Sequence, residues 1–370
     1  VWTPTGTSMN GWGKNENWRG WNDVNSDSII ENGELITGYV PMEGADVVIP
    51  DLNNPLLYPY IVPEHDHDHY PMTVHHDQHK CRYIYLAPGA HLNNQHLLDY
   101  EKAFVDMPIP KGNWYMMSSP LQDMYSGDMY IPHSGKSFAD NAAANLESTQ
   151  PFAVESFQGR RSSQGPYAFW ASYYNQAVKT YYDNGIYTET PAVAAEFQSS
   201  NSLVQPLPIG SGFMLWGEGP NNMVSDTLVV RLPKPDPYYT SSGGNKYYPQ
   251  SRKNVHKFAF TANHEVDTMQ ITLTNEAGSE YFLFGNPTMA FINMHDFLHD
   301  NAEFLNHVFY RIENDTWIAA TEHTMSDRFL APMTSVMLET KDKAQKTSLS
   351  VTLKASHLTL NNQVNPFSED

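Results

Sequence analysis

The stretch SEYFLFGNPTMAFI, residues 279–292, carries the pattern that decides the fold of this chain. It opens with a short aromatic and apolar run, continues with Gly-Asn-Pro, and ends in a second apolar run. Strands have this length and composition, and Gly, Asn and Pro are the residues that end strands and turn the chain. The stretch therefore predicts a strand, a tight turn and a further strand.

A similar pattern occurs earlier, in GNWYMMSSPLQDM at 112–124. Both copies are followed by two more strand-like runs: PIGSGFMLW and DTLVVRL (208–216 and 226–232) after the first, APMTSVMLE and TSLSVTL (331–339 and 347–353) after the second. Elements that recur in the same order indicate an internal repeat. We predict two related units of the β-sandwich or jelly-roll type, at 111–235 and 255–370, with a linker or long loop at 236–254. The first unit has an insertion at about 150–200.

The rest of the chain also favours strands over helices. Runs such as CRYIYLAPGAHL, 81–92, are short, rich in β-branched and aromatic residues, and bounded by Gly and Pro. They predict an all-β fold, with an N-terminal module at 1–110 that is either β-helix-like or a small sandwich. Helical periodicity is confined to 137–147 and 293–305, and Asn293 is placed to cap the second helix.

The composition limits the functions that the chain can serve. Its 370 residues are 40% hydrophobic, enough for a sizeable core, and its net charge of −19 disfavours nucleic acid and anionic lipid as partners. It has no apolar run of about 18 residues, so no membrane span is expected. The only cysteine, Cys81, cannot form an internal disulfide and begins an apolar strand, which predicts burial. The opening VWTPTGTS lacks a signal-peptide pattern and indicates a mature or excised piece.

Several segments resemble modular surface and secreted proteins of the Bacteroidota. VPMEGADVVIPDLNNPLLYPYI (40–61) and CRYIYLAPGAHL resemble an N-terminal module of those proteins, and YFLFGNPTMAFINMHDFLHDN (281–301) resembles a unit that repeats after it. The positions that match the repeating unit are Gly285, Asn286, Pro287, Phe297 and Asn301. Thr288 departs from the pattern, because an aromatic residue is usual there. The resemblance implies export, often by type IX secretion, and an adhesin-like role outside the cell.

The Gly-Asn-Pro turn has a structural interpretation of its own. Gly285 can adopt a positive φ, Asn286 can hydrogen-bond to its own backbone, and Pro287 lacks the N–H that would continue a ladder. These properties favour a turn-forming role over a binding role.

Residues 65–80, HDHDHYPMTVHHDQHK, give the strongest chemical signal. Imidazoles and carboxylates are ligands for zinc and copper, and alternate residues of an extended segment share one side. The candidate metal ligands are His65, His67, His69, His75, His76 and His79. A single polar stretch between two strands is more often a solvated loop. We therefore expect no dedicated cofactor, with adventitious zinc or copper as the alternative.

The insertion in the first unit is dense in aromatic residues, interleaved with amide, guanidinium and carboxylate groups. Flat rings flanked by such groups suit the apolar faces and hydroxyl edges of sugars. The candidate ligand-binding residues are Tyr167, Phe169, Trp170, Tyr173, Tyr174, Arg160 and Arg161. The alternative is that these rings form the core of the insertion.

Enzyme signatures are scarce. The sequence contains no P-loop, dinucleotide fingerprint, HExxH or CxxC motif. His295 and His299 lie four residues apart, a spacing that can bind metal on a helix but is more often a solvated face. We predict a non-catalytic structural or adhesive module that binds glycan or a protein partner outside the cell. The alternatives are a polysaccharide-active enzyme with dispersed carboxylates and a metal-binding protein.

Overall fold

The computed structural model describes residues 1–4, 10–22, 24, 32–52, 54–61, 79–110, 114–124, 128–129, 169–174, 194–196, 207–217, 227–233, 239–240, 246–247, 254–261, 267–313, 316–321, 323, 328–342 and 346–360. It is mostly β-strand (51%), with several small sheets and one α-helix among the described residues. The predicted all-β class is confirmed. None of the described helices combines the length and the apolar character that crossing a bilayer requires.

The strands of the first half are short except for β6 and β7. They are β1 (Asn10–Gly11), β2 (Arg19–Trp21), β3 (Leu35–Thr37), β4 (Asp46–Ile49), β5 (Pro59–Tyr60), β6 (Lys80–Leu86), β7 (Asp99–Pro110), β8 (Trp114–Met117), β9 (Phe169–Tyr174), β10 (Ala194–Glu196), β11 (Phe213–Gly217) and β12 (Thr227–Leu232). Single-turn 3₁₀ helices lie at Asn15–Asn17, Asn32–Glu34, Pro55–Leu57 and Gln95–Leu97.

The second half contains longer strands and the α-helix. Its elements are β13 (Tyr239–Thr240), β14 (Lys246–Tyr247), β15 (Thr268–Ser279), β16 (Tyr281–Gly285), β17 (Phe291–Asn293), α1 (Met294–Asp300), β18 (Leu305–Glu313), β19 (Thr316–Thr321), β20 (Phe329–Leu330), β21 (Ser335–Thr340), β22 (Lys346–Lys354) and β23 (Leu358–Thr359), with a 3₁₀ turn at Ala355–His357. The small antiparallel pair β13–β14 falls inside the predicted linker.

The N-terminal region is built on three parallel strands, in the order β4, β6, β7. Parallel neighbours need crossover connections, as in a β-helix, whereas strands in sandwiches are usually antiparallel. Whether the module is β-helix-like or a small sandwich stays a prediction. Trp2, Trp12 and Trp18 are at most 1% exposed and pack edge to face. Cys81 is buried, as predicted.

The first unit, which we define as β7 to β12, contains two groups of antiparallel strands. β7 pairs with β12, and a second sheet has the order β10, β9, β11, β8. The second unit, which we define as β15, β16, β18, β19, β21 and β22, repeats this arrangement. β15 pairs with β22, and the other sheet has the order β19, β18, β21, β16. The type of unit, sandwich or jelly roll, stays a prediction.

The register of the central strand pair, β8–β11 in the first unit and β16–β21 in the second, is also the same. Met117 lies opposite Phe213 in the first unit, and Phe284 lies opposite Val336 in the second. Each pair comes directly before the Ser-Ser-Pro or Gly-Asn-Pro turn. The preceding turns match as well, because Gly210 and Met333 occupy aligned positions and both have positive φ, 71° and 58°.

The two units are connected by two equivalent backbone hydrogen bonds, a contact that we call the joint. The amide N–H of Ser118 donates to the carbonyl of Met333 at 2.8 Å, and the amide N–H of Gly285 donates to the carbonyl of Gly210 at 2.7 Å. Ser118 aligns with Gly285, and Met333 aligns with Gly210. Exchanging the units therefore maps one contact onto the other, as in the two-fold interface of a dimer.

Two large hydrophobic clusters lie behind the sheets. One joins the N-terminal region to the first unit and includes Val47, Ile84 and Phe213, and the other fills the second unit around Phe284 and Phe297. The rings of Phe284 and Phe297 stack with centroids 4.6 Å apart. α1 packs on this second cluster and thereby closes the unit.

Three local predictions have definite outcomes. Asn293 caps α1 as predicted, since its side chain accepts from the N–H of His295. The helix ends at Asp300, however, so the prediction that it continues to 305 is wrong, and Leu305 begins β18. The helix predicted at 137–147 lies outside the described residues. Gly285 does not have a positive φ; its Cβ would lie 2.3 Å from that of Ser118, so close approach at the joint is what requires glycine.

The predicted role of Asn286 is confirmed and is larger than expected. Its Oδ1 accepts from the N–H and the hydroxyl of Thr288, and its Nδ2 donates to the carbonyls of Ala290, Leu330 and Ala331 at 2.9–3.1 Å. The residue is 0% exposed. One buried amide therefore ties the turn after β16 to the end of β20.

Candidate functional site

In the sheets β10–β9–β11–β8 and β19–β18–β21–β16, alternate positions have different surroundings. In β8, Met117 belongs to the large N-terminal cluster, whereas Met116 packs with Leu283 and Met337 in a separate small cluster. Successive residues of a strand face opposite sides of a sheet. We call the side with the small cluster the outer face. Its positions are Trp114, Met116, Trp170, Ser172, Tyr174, Met214 and Trp216 in the first unit, and Tyr281, Leu283, Tyr310, Ile312, Trp317, Met337 and Glu339 in the second.

The centre of the outer face lies where the two units meet. Met116 and Leu283 are each 6% exposed, and Met337 is 0% exposed. Half-buried Tyr281, Tyr310, Ile312 and Trp317 pack around these three side chains. The centre of the outer face is therefore apolar and closed to solvent, and partly accessible aromatic rings lie at its margin.

A tyrosine pair and a carboxylate supply the polar groups of this margin. The rings of Tyr281 and Tyr310 lie 5.9 Å apart at an interplanar angle of 74°, and the Tyr310 hydroxyl donates to Oε2 of Glu339 at 2.8 Å. Burial raises the pKa of both phenols, and the Glu339 carboxylate raises the pKa of Tyr310 further. Both hydroxyls therefore stay protonated near neutral pH, and the Tyr310 hydroxyl, which gives its single proton to Glu339, presents acceptor lone pairs to a ligand.

Three tryptophan positions line up across the first unit. Trp216 of β11 lies opposite Trp114 of β8 on one side and opposite Trp170 of β9 on the other. Directly opposite residues of antiparallel strands share a face, with Cβ atoms about 4.5–5.5 Å apart. The backbone thus places a row of three tryptophans on the outer face, across adjacent strands.

The register divides the predicted ligand-binding residues into two sets. Trp170 and Tyr174 occupy outer-face positions. Tyr173 lies opposite the buried Phe213, so Tyr173 and Phe169 occupy positions on the core side. Three further candidates lie outside the described residues: Tyr167, Arg160 and Arg161.

The predicted histidine cluster falls mostly outside the described residues, which exclude His65, His67, His69, His75 and His76. His79 is half-buried, and its carbonyl accepts from the amide of Asp99 at 2.9 Å. His295 and His299 do lie on one side of α1, with ring centroids 6.4 Å apart. Within the described part of the chain, no group of three or more His, Cys, Asp or Glu residues is arranged to hold a metal ion.

The sequence interpretation overlooked most of the outer face. Trp114, Trp216, Tyr281, Tyr310 and Trp317 were not among the candidate residues. A usable signal was present in two strand-like runs of the first predicted unit, because WYMM and FMLW each place a tryptophan two positions from a methionine. Comparison with family models, curated proteins and solved structures gave no match for this chain.

Proposed function

We propose that this chain is a non-catalytic adhesive or structural module of a bacterial surface or secreted protein, and that it binds glycan on the outer face. The observation that carries the proposal is the row of Trp114, Trp216 and Trp170 across three neighbouring strands. Sugar rings present apolar C–H faces to aromatic rings and hydroxyl groups to polar side chains. A row of tryptophan positions across neighbouring strands offers several such contacts in succession.

The margin in the second unit supports the same function. Trp317 and Tyr281 are half-buried, so each ring keeps an accessible part. The Tyr310 hydroxyl is held by the Glu339 carboxylate, and it is therefore oriented before a ligand arrives. Binding surfaces combine a mostly apolar lining with a few fixed polar groups in this way.

The net negative charge of the chain favours neutral glycans over acidic ones as ligands. At −19, the protein repels acidic polysaccharides at long range, and its described outer face carries a carboxylate, Glu339. A neutral glycan is therefore the favoured ligand. Location outside the cell is supported by the resemblance to Bacteroidota surface proteins and by the aromatic-rich, charge-poor composition.

The experiment is binding to a panel of neutral and acidic polysaccharides, with isothermal titration of the strongest ligand. We expect Trp216→Ala to weaken binding about tenfold or more, as for a central aromatic contact. Tyr39→Ala is the matched control, since Tyr39 is 75% exposed and lies in the N-terminal region; it should bind as the wild type does. Absence of binding to every glycan, or equal binding by the Trp216 variant, would refute the proposal. Release of reducing ends would favour the enzyme alternative.

A further inference from the structure

Among the described residues, the pairing of β15 with β22 leaves one long edge of β15 without a strand partner. Both backbone groups of Thr352 in β22 bond to the side chain of Asn301, at 2.9 Å and 2.7 Å, and so point away from β15. Gln270 lies opposite Thr352. In an antiparallel ladder, the backbone groups of such a pair both point outward. The N–H and C=O of Gln270 therefore face the other edge of β15, and Thr272 and Thr274 follow the same alternation.

No hydrogen bond reaches these outward backbone groups from any described residue. Gln270, Thr272 and Thr274 are also exposed side chains. From Thr268 to Asn275 the strand has the sequence TMQITLTN, without a charge or a proline. Natural edge strands are usually protected against pairing by charges, prolines or bulges.

In the first unit, β6 pairs with the aligned edge of β7 as far as Val105, and prolines follow on β7 beyond that pairing. TLVVRL of β12 aligns with SLSVTL of β22, so Arg231 aligns with Thr352 and Val229 aligns with Ser350. The residues opposite them show that Pro108 aligns with Thr272 and, two positions on, Pro110 aligns with Thr274. Proline has no N–H to donate. The aligned strand therefore lacks both of these donors in the first unit and keeps them in the second.

We propose that the open edge of β15 pairs with the same edge of a second copy of this chain. An antiparallel pairing about Ile271 matches both faces of the strand. Gln270 of one copy lies opposite Thr272 of the other, and Thr268 lies opposite Thr274 of the other. On the buried face, Ile271 meets its own counterpart. Like pairs of Thr and of β-branched residues are favourable across strands.

Charge also points to a second copy. Two acidic chains repel each other, so self-association needs a contact without net charge, and the uncharged stretch 268–275 supplies one. Pairing joins β22, β15 and their counterparts into one four-stranded sheet. The joined strands relate the copies by a two-fold axis, which closes the assembly at two chains.

The test is sedimentation velocity over a range of protein concentrations. We expect the wild type to change from monomer to dimer, and a Thr272→Pro and Thr274→Pro variant to dimerise with a Kd raised at least about tenfold, because both donors are lost. Thr272→Val with Thr274→Val keeps both N–H groups and should dimerise as the wild type does. Pro108 and Pro110 occupy the aligned strand, so the fold is expected to accept the prolines, which circular dichroism checks.

A monomeric wild type at every concentration, or proline variants that dimerise normally, would overturn the proposal. If the proline variant does not fold, amide exchange of the wild type decides. Slower exchange at Gln270, Thr272 and Thr274 in concentrated than in dilute protein supports self-pairing. Unchanged exchange at these three amides contradicts it.

Discussion

The first and second units share a strand order and a hairpin register, yet they use aligned positions differently. Asp106 and Arg231, opposite each other on β7 and β12, form a bidentate ion pair at 2.6 Å and 2.8 Å and are 3% and 5% exposed. The aligned pair in the second unit is Gln270 and Thr352, which share one exposed hydrogen bond at 2.8 Å. The same strand arrangement therefore buries an ion pair in the first unit and leaves the aligned polar pair exposed in the second.

The largest expected effect comes from breaking the buried ion pair. Arg231→Met leaves the Asp106 carboxylate buried without its partner and should lower the free energy of unfolding by about 3–5 kcal/mol. Gln270→Met at the aligned exposed position should change it by less than about 0.5 kcal/mol. Urea unfolding measures both.

The double variant Asp106→Leu with Arg231→Met sharpens this result. Removing both charges should restore most of the lost stability, because an apolar pair of similar volume needs no desolvation of ions. A double variant no more stable than Arg231→Met would show that the uncompensated charge is not the cause.

The Gly-Asn-Pro and Ser-Ser-Pro turns at the joint differ in how many hydrogen bonds their central side chains make. Asn286→Ala removes the amide that bonds to four other residues and should lower stability by about 3 kcal/mol. Ser119 is the aligned residue of the first unit, and in the described part of the chain its hydroxyl bonds only to the backbone of Leu121. Ser119→Ala should therefore lower stability by about 1 kcal/mol. Thermal unfolding of the two variants gives the comparison, and equal losses would contradict it.

Close approach at the joint gives a smaller effect. Gly285→Ala places a Cβ 2.3 Å from that of Ser118, so the joint must shift, at about 2 kcal/mol. A Cβ on Gly33 would meet nothing within 4 Å, and Gly33→Ala should be within about 0.5 kcal/mol of wild type. Calorimetry of both variants tests the joint, and an unaffected Gly285→Ala would show that the contact is loose.

The smallest effect is a pH dependence centred on His91, which packs between Tyr58 and Phe291. Burial lowers the pKa of His91 to about 4. The unfolded chain takes up this proton at about pH 6.5, so stability falls as the pH drops from there towards 4. The loss between about pH 6.5 and pH 5.5 should be about 1 kcal/mol. Chemical unfolding at several pH values should show a flatter dependence for His91→Gln than for the wild type.

Much of the fold could be predicted because its signals are local. Alternation and turn residues indicated where many of the strands lie, and Asn293 marked the start of α1. The role of Gly285 could not be predicted, since it depends on Ser118, a residue of the other unit. The predicted length of α1 was wrong for a similar reason. Phe304 and Leu305 fit the helical period, but Leu305 is the first residue of β18.

The candidate site was harder to predict than the fold. The alignment of Trp114, Trp170 and Trp216 depends on the pairing of strands that lie far apart in the sequence. Within the insertion, composition alone could not separate Trp170 and Tyr174 on the outer face from Phe169 and Tyr173 on the core side. Strand register makes that division, and it acts over long sequence separations.

The most direct test of the account is amide hydrogen exchange with and without the neutral glycan that binds most tightly. The account predicts slower exchange in β8, β9 and β11, and in β18 and β19 of the second unit, whose outer positions carry the aromatic residues. Protection confined to residues 32–61 of the N-terminal region, with those five strands unchanged, would contradict the proposed binding face.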